Sequence, residues 1–289
     1  MNYLPQVENY DVVRLIAEGG TARVYWGIDK RSGYPVAIKE LKLRHMNNSA
    51  VRDKFRSMET QLMLYAQHPN IPKLVDFIDL PNQNQMFLVM EYIEGRSIEH
   101  YIYREIGLIP EQRALPIFLD LLDTVGFLHN LRIPHMGISD GVLHLDIKSN
   151  NVMLMPNGKI KLIDLGIASR MGVDNSTGFG TPAYMPPEQS NGGAIGKYTD
   201  IFALGVMLFE MLTGRLPFTS NKSNPRDYRH EIRNKIQYEP TPLMKQYYPL
   251  ISDNLQYIVD RALAKDPACR YQKCEDFANC IKSYMREGK

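Results

Sequence analysis

The chain has 289 residues, a formal net charge of +2, and 44% hydrophobic against 23% charged residues. That balance excludes a disordered chain and leaves room for two lobes with a sizeable core. The near-neutral charge, without a long basic run, argues against a nucleic-acid partner, no stretch reaches the ~18 apolar residues of a membrane span, and MNYLPQVENY lacks the apolar heart of a signal peptide. Cys269, Cys274 and Cys280 lie together near the C-terminus, with neither an even-numbered disulfide framework nor a fourth metal ligand at suitable spacing. They read as reduced thiols of a cytoplasmic protein.

In chain order, DVVRLIA, ARVYWGI and PVAIKEL are β-rich runs separated by the turn-like EGGT and KRSGY, which predicts an antiparallel meander. A stretch from about Asn48 to Gln67 has no Gly or Pro and spaces Phe55, Met58, Leu62 and Tyr65 by three and four, the pattern of an amphipathic helix. His68-Pro69-Asn70 stops it. KLVDFIDL and QMFLVMEYI are two further strands, and Glu94-Gly95-Arg96 is a natural hinge. Beyond it the signal turns helical. ALPIFLDLLDTVGFLHN sets Leu115, Phe118, Leu119, Leu122 and Val125 on one face, with Pro116 expected to mark an early turn. DIFALGVMLFEMLTG is apolar nearly all round and predicts a helix buried at the centre of a lobe. VMLM and KIKLID are short strands joined at Pro156-Asn157-Gly158, a hairpin signal. The coarse reading is α+β, with a small antiparallel β-sheet lobe carrying one helix (residues 1–92) and a larger, mainly helical lobe (residues 93–289).

Individual fragments carry little. Glu18-Gly19-Gly20-Thr21 between two strands is most simply a hairpin, and Lys39 at the end of an apolar strand is most simply a surface lysine whose stem is buried. Their order carries more. The strand–glycine loop–strand unit is followed by Val36-Ala37-Ile38-Lys39, a helix with Glu59, HLDIKSNN, Asp164-Leu165-Gly166, Gly180-Thr181-Pro182, Pro186-Pro187-Glu188 and DIFALG. This series resembles the protein-kinase signature set over nearly the whole chain, from about Tyr10 to Tyr284. HPNI, VMEYIEG, GTPAYMPPEQ and ALAKDPACRY are similar to bacterial serine/threonine kinases.

The resemblance implies the two-lobed kinase fold, ATP and Mg2+ as cofactors, and transfer of a phosphoryl group to serine or threonine of protein substrates. It places Ala17, Glu18, Gly19, Gly20, Val24, Ala37 and Lys39 among nucleotide-binding positions. Met90 would line the back of the adenine pocket, with Glu91 and Ile93 offering backbone groups to the base. Lys39, held by Glu59, would neutralise the α and β phosphates; Asp164 and Asn151 would hold magnesium. Asp146 would accept the hydroxyl proton and Lys148 would steady the transferring group, a lysine that favours serine/threonine over tyrosine acceptors. Thr181 would bond Asp146 and Lys148, Glu188 and Arg270 would pair in the helical lobe, and Asp200 would anchor the catalytic loop.

Several positions depart from the pattern. The loop expected as G-x-G-x-x-G-x-V reads Ala17-Glu18-Gly19-Gly20-Thr21-Ala22-Arg23-Val24 and keeps only the middle glycine, which implies weaker or less mobile nucleotide gripping. DLG stands for DFG and PPE for APE. Leu145 occupies the place of an arginine that, in many kinases, pairs with a phosphate on the activation loop; among Ser169, Ser176, Thr177, Thr181 and Arg170, that loop still offers hydroxyls and one cation. The expectation is an enzyme that does not depend on loop phosphorylation, with Leu145 packed among apolar neighbours. Residues 130–141 are longer than the usual connection and read as a surface insertion, with a docking surface as the alternative and no role for His135. Two other readings compete with the active kinase: a pseudokinase binding nucleotide or partners, and a small-molecule phosphotransferase of the same fold. A homodimer or fusion to a sensor domain are the candidate assemblies, since the chain ends just past its last expected helix, as a domain cut from a larger protein would.

Overall fold

The computed structural model describes residues 4–165, 169–170 (backbone only) and 180–287. Gly166, Ser176 and Thr177, with the side chains of Ser169 and Arg170, lie outside the described residues. The backbone divides into two compact units, Met1–Glu94 and Gly95–Lys289.

The first unit is built on an antiparallel sheet of β1 (Tyr10–Glu18), β2 (Ala22–Asp29), β3 (Pro35–Leu41), β4 (Leu74–Leu80) and β5 (Gln85–Glu91), in the order β1-β2-β3-β5-β4. The first three strands form the expected meander. β5 then returns beside β3, because the helical stretch between β3 and β4 carries the chain past that edge. One face packs Tyr10, Tyr25, Val36, Ile38, Phe87 and Val89 into a core. Since successive strand residues point to opposite faces, Ile38 in that core sends its neighbour Lys39 to the other side.

The single amphipathic helix expected over 48–67 is a broken run: Ser49–Asp53, a π-helical Lys54–Glu59 and Thr60–Tyr65, preceded by a separate turn at Leu43–Met46. The wider π turn leaves a carbonyl off the ordinary ladder, and the Thr60 hydroxyl donates to the Phe55 carbonyl, five residues back, at 3.0 Å. Asn48 caps the start by accepting the Val51 N–H.

In the second unit, Lys197–Thr213 is buried at every residue from Thr199 to Thr213, as a helix apolar nearly all round requires. It ends at Gly214, where a φ of +71° and a Gly107 carbonyl 2.1 Å from the place of a Cβ admit no other residue. The helix Glu111–Asn130 begins earlier than expected and includes Pro116. Proline is accommodated there because it is exposed, as is Gln112, whose carbonyl loses its intrahelical donor to water instead. Pro225–Tyr238, Asp253–Ala262 and Cys274–Glu287 are further helices of the unit. The hairpin Val152–Leu154 and Ile160–Leu162 turns through Gly158 at φ +79°, and Val142–Leu143 pairs with Ser169–Arg170. In the segment 130–141, Ile133 and Ile138 bridge each other and are buried, while Arg132, Pro134, His135 and Ser139 are exposed. Among the described residues, no helix is long and apolar enough to cross a membrane.

Arg270 is fully buried and uses its whole guanidinium. Nη1 and Nη2 donate to the Glu188 carboxylate at 2.7 and 2.9 Å, and the remaining N–H groups go to the carbonyls of Ala264, Tyr198 and Lys265. Removing one partner strands a buried charge, at a cost of about 3–5 kcal/mol. Arg270→Met is therefore expected to lower the denaturant midpoint sharply, and Arg270→Met/Glu188→Gln to recover part of the loss. Equal midpoints for parent and single variant would contradict the pairing.

Candidate active site

In the first unit, Lys39 and Glu59 are brought together. Lys39 is 8% exposed and Glu59 3%, and the ammonium bonds Glu59 Oε1 directly. Glu59 closes the π segment, so the local widening of the helix sets where its carboxylate emerges. The Phe55 ring lies 5.9 Å from the same ammonium. The glycine loop is a tight continuation of the β1–β2 ladder, with Ala17 opposite Val24 and Glu18 opposite Arg23. Ala37 pairs with Met90 across β3 and β5. The Glu91 N–H is given to the Lys73 carbonyl at 2.9 Å, so a base at this position would address the Glu91 carbonyl rather than the N–H. Ile93 is buried just beyond.

In the second unit, the residues from the catalytic-loop pattern converge on one carboxylate. Asp146 Oδ2 accepts from Lys148 Nζ at 2.7 Å and from Asn151 Nδ2 at 3.3 Å, while Oδ1 accepts from the Thr181 hydroxyl at 3.0 Å. Lys148 also donates to Thr181 Oγ1 at 3.0 Å, closing a triangle. Asp146 and Lys148 side chains are 13% and 22% exposed, enough for a hydroxyl to approach. Such a carboxylate can take a proton, with an ammonium beside it for an anionic group.

The loop is held from behind. Asp200, fully buried on the central helix, accepts the N–H of His144 and of Leu145, each at 2.8 Å, and bonds His129 Nε2 at 2.8 Å. Burial alone would raise its carboxyl, but the bond from His129, with the backbone N–H of His144, outweighs it and holds the group below its usual range. Leu145 sits at φ +65° and Asp164 at φ +72°, conformations costing a bulky residue on the order of 1–3 kcal/mol each. Gly180, at φ +115°, fits over the Leu145 carbonyl, where a Cβ would come within 3.0 Å of that oxygen. Leu145 is 6% exposed.

Asn151 turns its amide nitrogen to the Asp146 carbonyl at 2.9 Å, which orients the amide oxygen away from it. Its backbone carbonyl accepts the Ile163 N–H at 2.8 Å, tying the strand leading into Asp164 to the catalytic loop. An amide oxygen and an exposed carboxylate are hard donors and fit magnesium. Among the described residues, no group of three or more His, Cys, Asp or Glu is arranged to hold a metal.

Sequence reasoning missed a second anchor. Glu210, deep in the central helix, accepts hydroxyls from Tyr184 at 2.5 Å, Tyr103 at 2.8 Å and Ser149 at 3.1 Å. Burial raises its carboxyl despite these bonds, and burial also pushes the Tyr184 phenol well up. A lone glutamate within DIFALGVMLFEMLTG was the available signal.

His144 is 0% exposed, and burial lowers its imidazole against the opposing pull of Asp200, Asp146 and Asp164. Its Nδ1 accepts the Asp146 N–H at 3.3 Å, which requires the neutral ring. With the folded value below the unfolded one, the unfolded chain binds the extra proton, so stability is held above pH ~6.5 and falls as pH drops below it. Relative to His144→Phe, the parent is expected to lose thermal stability between pH 7 and 5. Parallel curves would contradict this.

A family model described as protein kinase domain matches residues 10–281. The chain is 34% identical to serine/threonine-protein kinase PrkC of Bacillus subtilis over 279 residues, 95% of this chain and 40% of that protein. It is 32% identical to serine/threonine-protein kinase PksC of Streptomyces coelicolor over 277 residues, covering 92% and 47%. With serine/threonine-protein kinase PknA of Mycobacterium tuberculosis it shares 30% over 291 residues, covering 97% and 62%. The chain thus spans about two fifths of the length of PrkC.

Proposed function

We propose, from the premise that this chain belongs to the protein kinase domain family, that it transfers the γ-phosphoryl group of ATP to serine or threonine hydroxyls of proteins. The observation that carries the reading is the Asp146 carboxylate bracketed by Lys148, Asn151 and Thr181. Residues 1–92 supply the nucleotide loop and the Lys39–Glu59 pair, and residues 93–289 supply the acceptor chemistry. ATP is addressed by Ala17, Glu18, Gly19, Gly20, Val24, Ala37, Met90, Glu91 and Ile93, with Lys39 neutralising phosphate charge. Glu59 keeps that ammonium in place, since a buried lysine without a carboxylate would favour its neutral form.

Asp146 orients the incoming hydroxyl and accepts its proton as the bond from that oxygen to the γ-phosphorus forms and the bond from the γ-phosphorus to the bridging oxygen breaks, releasing ADP. Lys148, already bonded to Asp146, turns its remaining N–H toward the transferring group. Thr181 holds both and borders the place of the acceptor side chain. Asn151 and Asp164 are the residues that would hold magnesium, which when bound would neutralise charge on the phosphate oxygens. The ATP-dependent reaction and the free thiols Cys269, Cys274 and Cys280 are consistent with a cytoplasmic domain.

Asp146→Asn is expected to abolish transfer to a generic protein substrate while leaving Mg-ATP affinity nearly intact, because this carboxylate handles the acceptor. Asp164→Asn is expected to lose magnesium-dependent nucleotide binding as well. Labelled-ATP assays with calorimetric titration separate the two, and an Asp146→Asn protein within a few-fold of parental activity would sink the assignment.

The buried, uncharged Leu145 supports independence from loop phosphorylation, because it offers no cation to a phosphate. Ser176→Ala/Thr177→Ala, freed of phosphate, is expected to keep most of its rate on an external substrate, whereas Thr181→Ala loses much of it. An inactive double variant that aspartates restore would point to another cation reading the phosphate.

A further inference from the structure

The tip of the glycine loop is held from outside by the chain that follows β3. The Lys42 N–H donates to the Thr21 carbonyl at 2.9 Å, and Lys42 Nζ lies 2.6 Å from Glu18 Oε1, a contact that holds the Glu18 carboxyl below its usual range. Arg44 donates through Nη2 to the Gly20 carbonyl and through Nε to His45 Nε2 at 3.1 Å. His45 Nε2 also lies 3.2 Å from the Gly20 carbonyl. A nitrogen accepting the Arg44 N–H cannot also donate, so the guanidinium is the group that binds the carbonyl and His45 orients it.

This loop does not draw on the conformational freedom of glycine. Neither Gly19 nor Gly20 has a positive φ, and a Cβ on Gly20 would meet nothing within 4 Å. At Ala22, where the family pattern has its third glycine, the methyl is instead buried at 5% exposure, and the Ala22 carbonyl accepts the Gly19 N–H at 2.9 Å. The shape is set by packing within the loop and by contacts from Lys42 and Arg44.

Those contacts fix the peptide planes. In a trans peptide the C=O and the following N–H point in opposite directions. With the Gly20 carbonyl turned to Arg44 and the Thr21 carbonyl to Lys42, the N–H groups of Thr21 and Ala22 are turned to the side away from these two residues. Backbone N–H groups at such a turn are able to receive an anion.

We propose that Arg44, oriented by His45, is a positioning residue for phosphate recognition: it clamps the loop so that the Thr21 and Ala22 N–H groups are aimed at the nucleotide phosphates, in place of the missing flanking glycines. The proposal rests on the nucleotide-loop reading above. It distinguishes phosphate binding from base binding, because the bonds of Arg44 go to Gly20 and His45, at the loop and not at the base-side residues Met90, Glu91 and Ile93.

The test is calorimetric titration of parent, Arg44→Ala and Arg44→Lys proteins with Mg-ADP and with adenosine, alongside amide exchange across residues 19–22. Losing a hydrogen bond of this kind is expected to weaken Mg-ADP about five- to tenfold in Arg44→Ala, leave adenosine unchanged and speed exchange at Thr21 and Ala22. Arg44→Lys, which keeps a donor but not the fork to His45, should fall between. If Arg44→Ala binds Mg-ADP like the parent, or loses adenosine equally, the clamp is wrong while the kinase reading stands. A parent that binds neither ligand overturns the kinase reading, and this proposal with it.

Discussion

The arrangement of the catalytic loop depends on one buried carboxylate. Asp200 sits on a helix with no exposed face, and it satisfies two consecutive backbone N–H groups, His144 and Leu145, immediately before Asp146. A buried charge of this kind is tolerated only when its lone pairs are filled, and here they are filled by the loop itself and by His129. The carboxylate and the loop conformation therefore stabilise each other. The left-handed backbone at Leu145 is the clearest sign of it: a bulky residue adopts φ +65° because the N–H it presents to Asp200 offsets the strain.

Glu210 repeats the device one face away. It binds Ser149 of the catalytic loop and Tyr184 of the segment following Thr181 with a single carboxylate. The loop that carries Asp146 and the segment that carries Thr181 are thereby tied to the same helix, which keeps Asp146 and Thr181 within hydrogen-bond reach of each other. In the first unit the equivalent constraint is the Lys39–Glu59 pair, whose carboxylate emerges where the helix widens into a π turn. In each case a charged group that would be costly in isolation becomes a fixed point because its partners are supplied by a different part of the same unit.

The segments that depart from the expected pattern are also those where local rules gave way to neighbours. Pro116 lies inside a helix because its lost hydrogen bond faces water. The run from Ser49 to Tyr65 has a helical period, but its π turn answers to the sheet it covers and to the Thr60 hydroxyl. The glycine loop retains a tight tip with few glycines, since side chains of Lys42 and Arg44 do what backbone freedom does elsewhere.

The amino-acid sequence by itself determined most of the elements and their order, and it put Asp146, Lys148 and Asn151 within six residues of one another. Alternation in PVAIKEL put Lys39 opposite the core, the nearly continuous apolar run made Lys197–Thr213 a buried helix, and the offsets in HLDIKSNN placed Asp146, Lys148 and Asn151 on one short loop. These follow from periodicity and spacing, which are local. What only the tertiary structure decided are the contacts made at long separation: Glu210 with Tyr103 and Ser149, His129 with Asp200 and Cys274, Arg44 with Gly20. Sequence spacing carries no information on which hydroxyl reaches a buried carboxylate, or which carbonyl a guanidinium finds, because those partners are chosen by the packing that desolvates them.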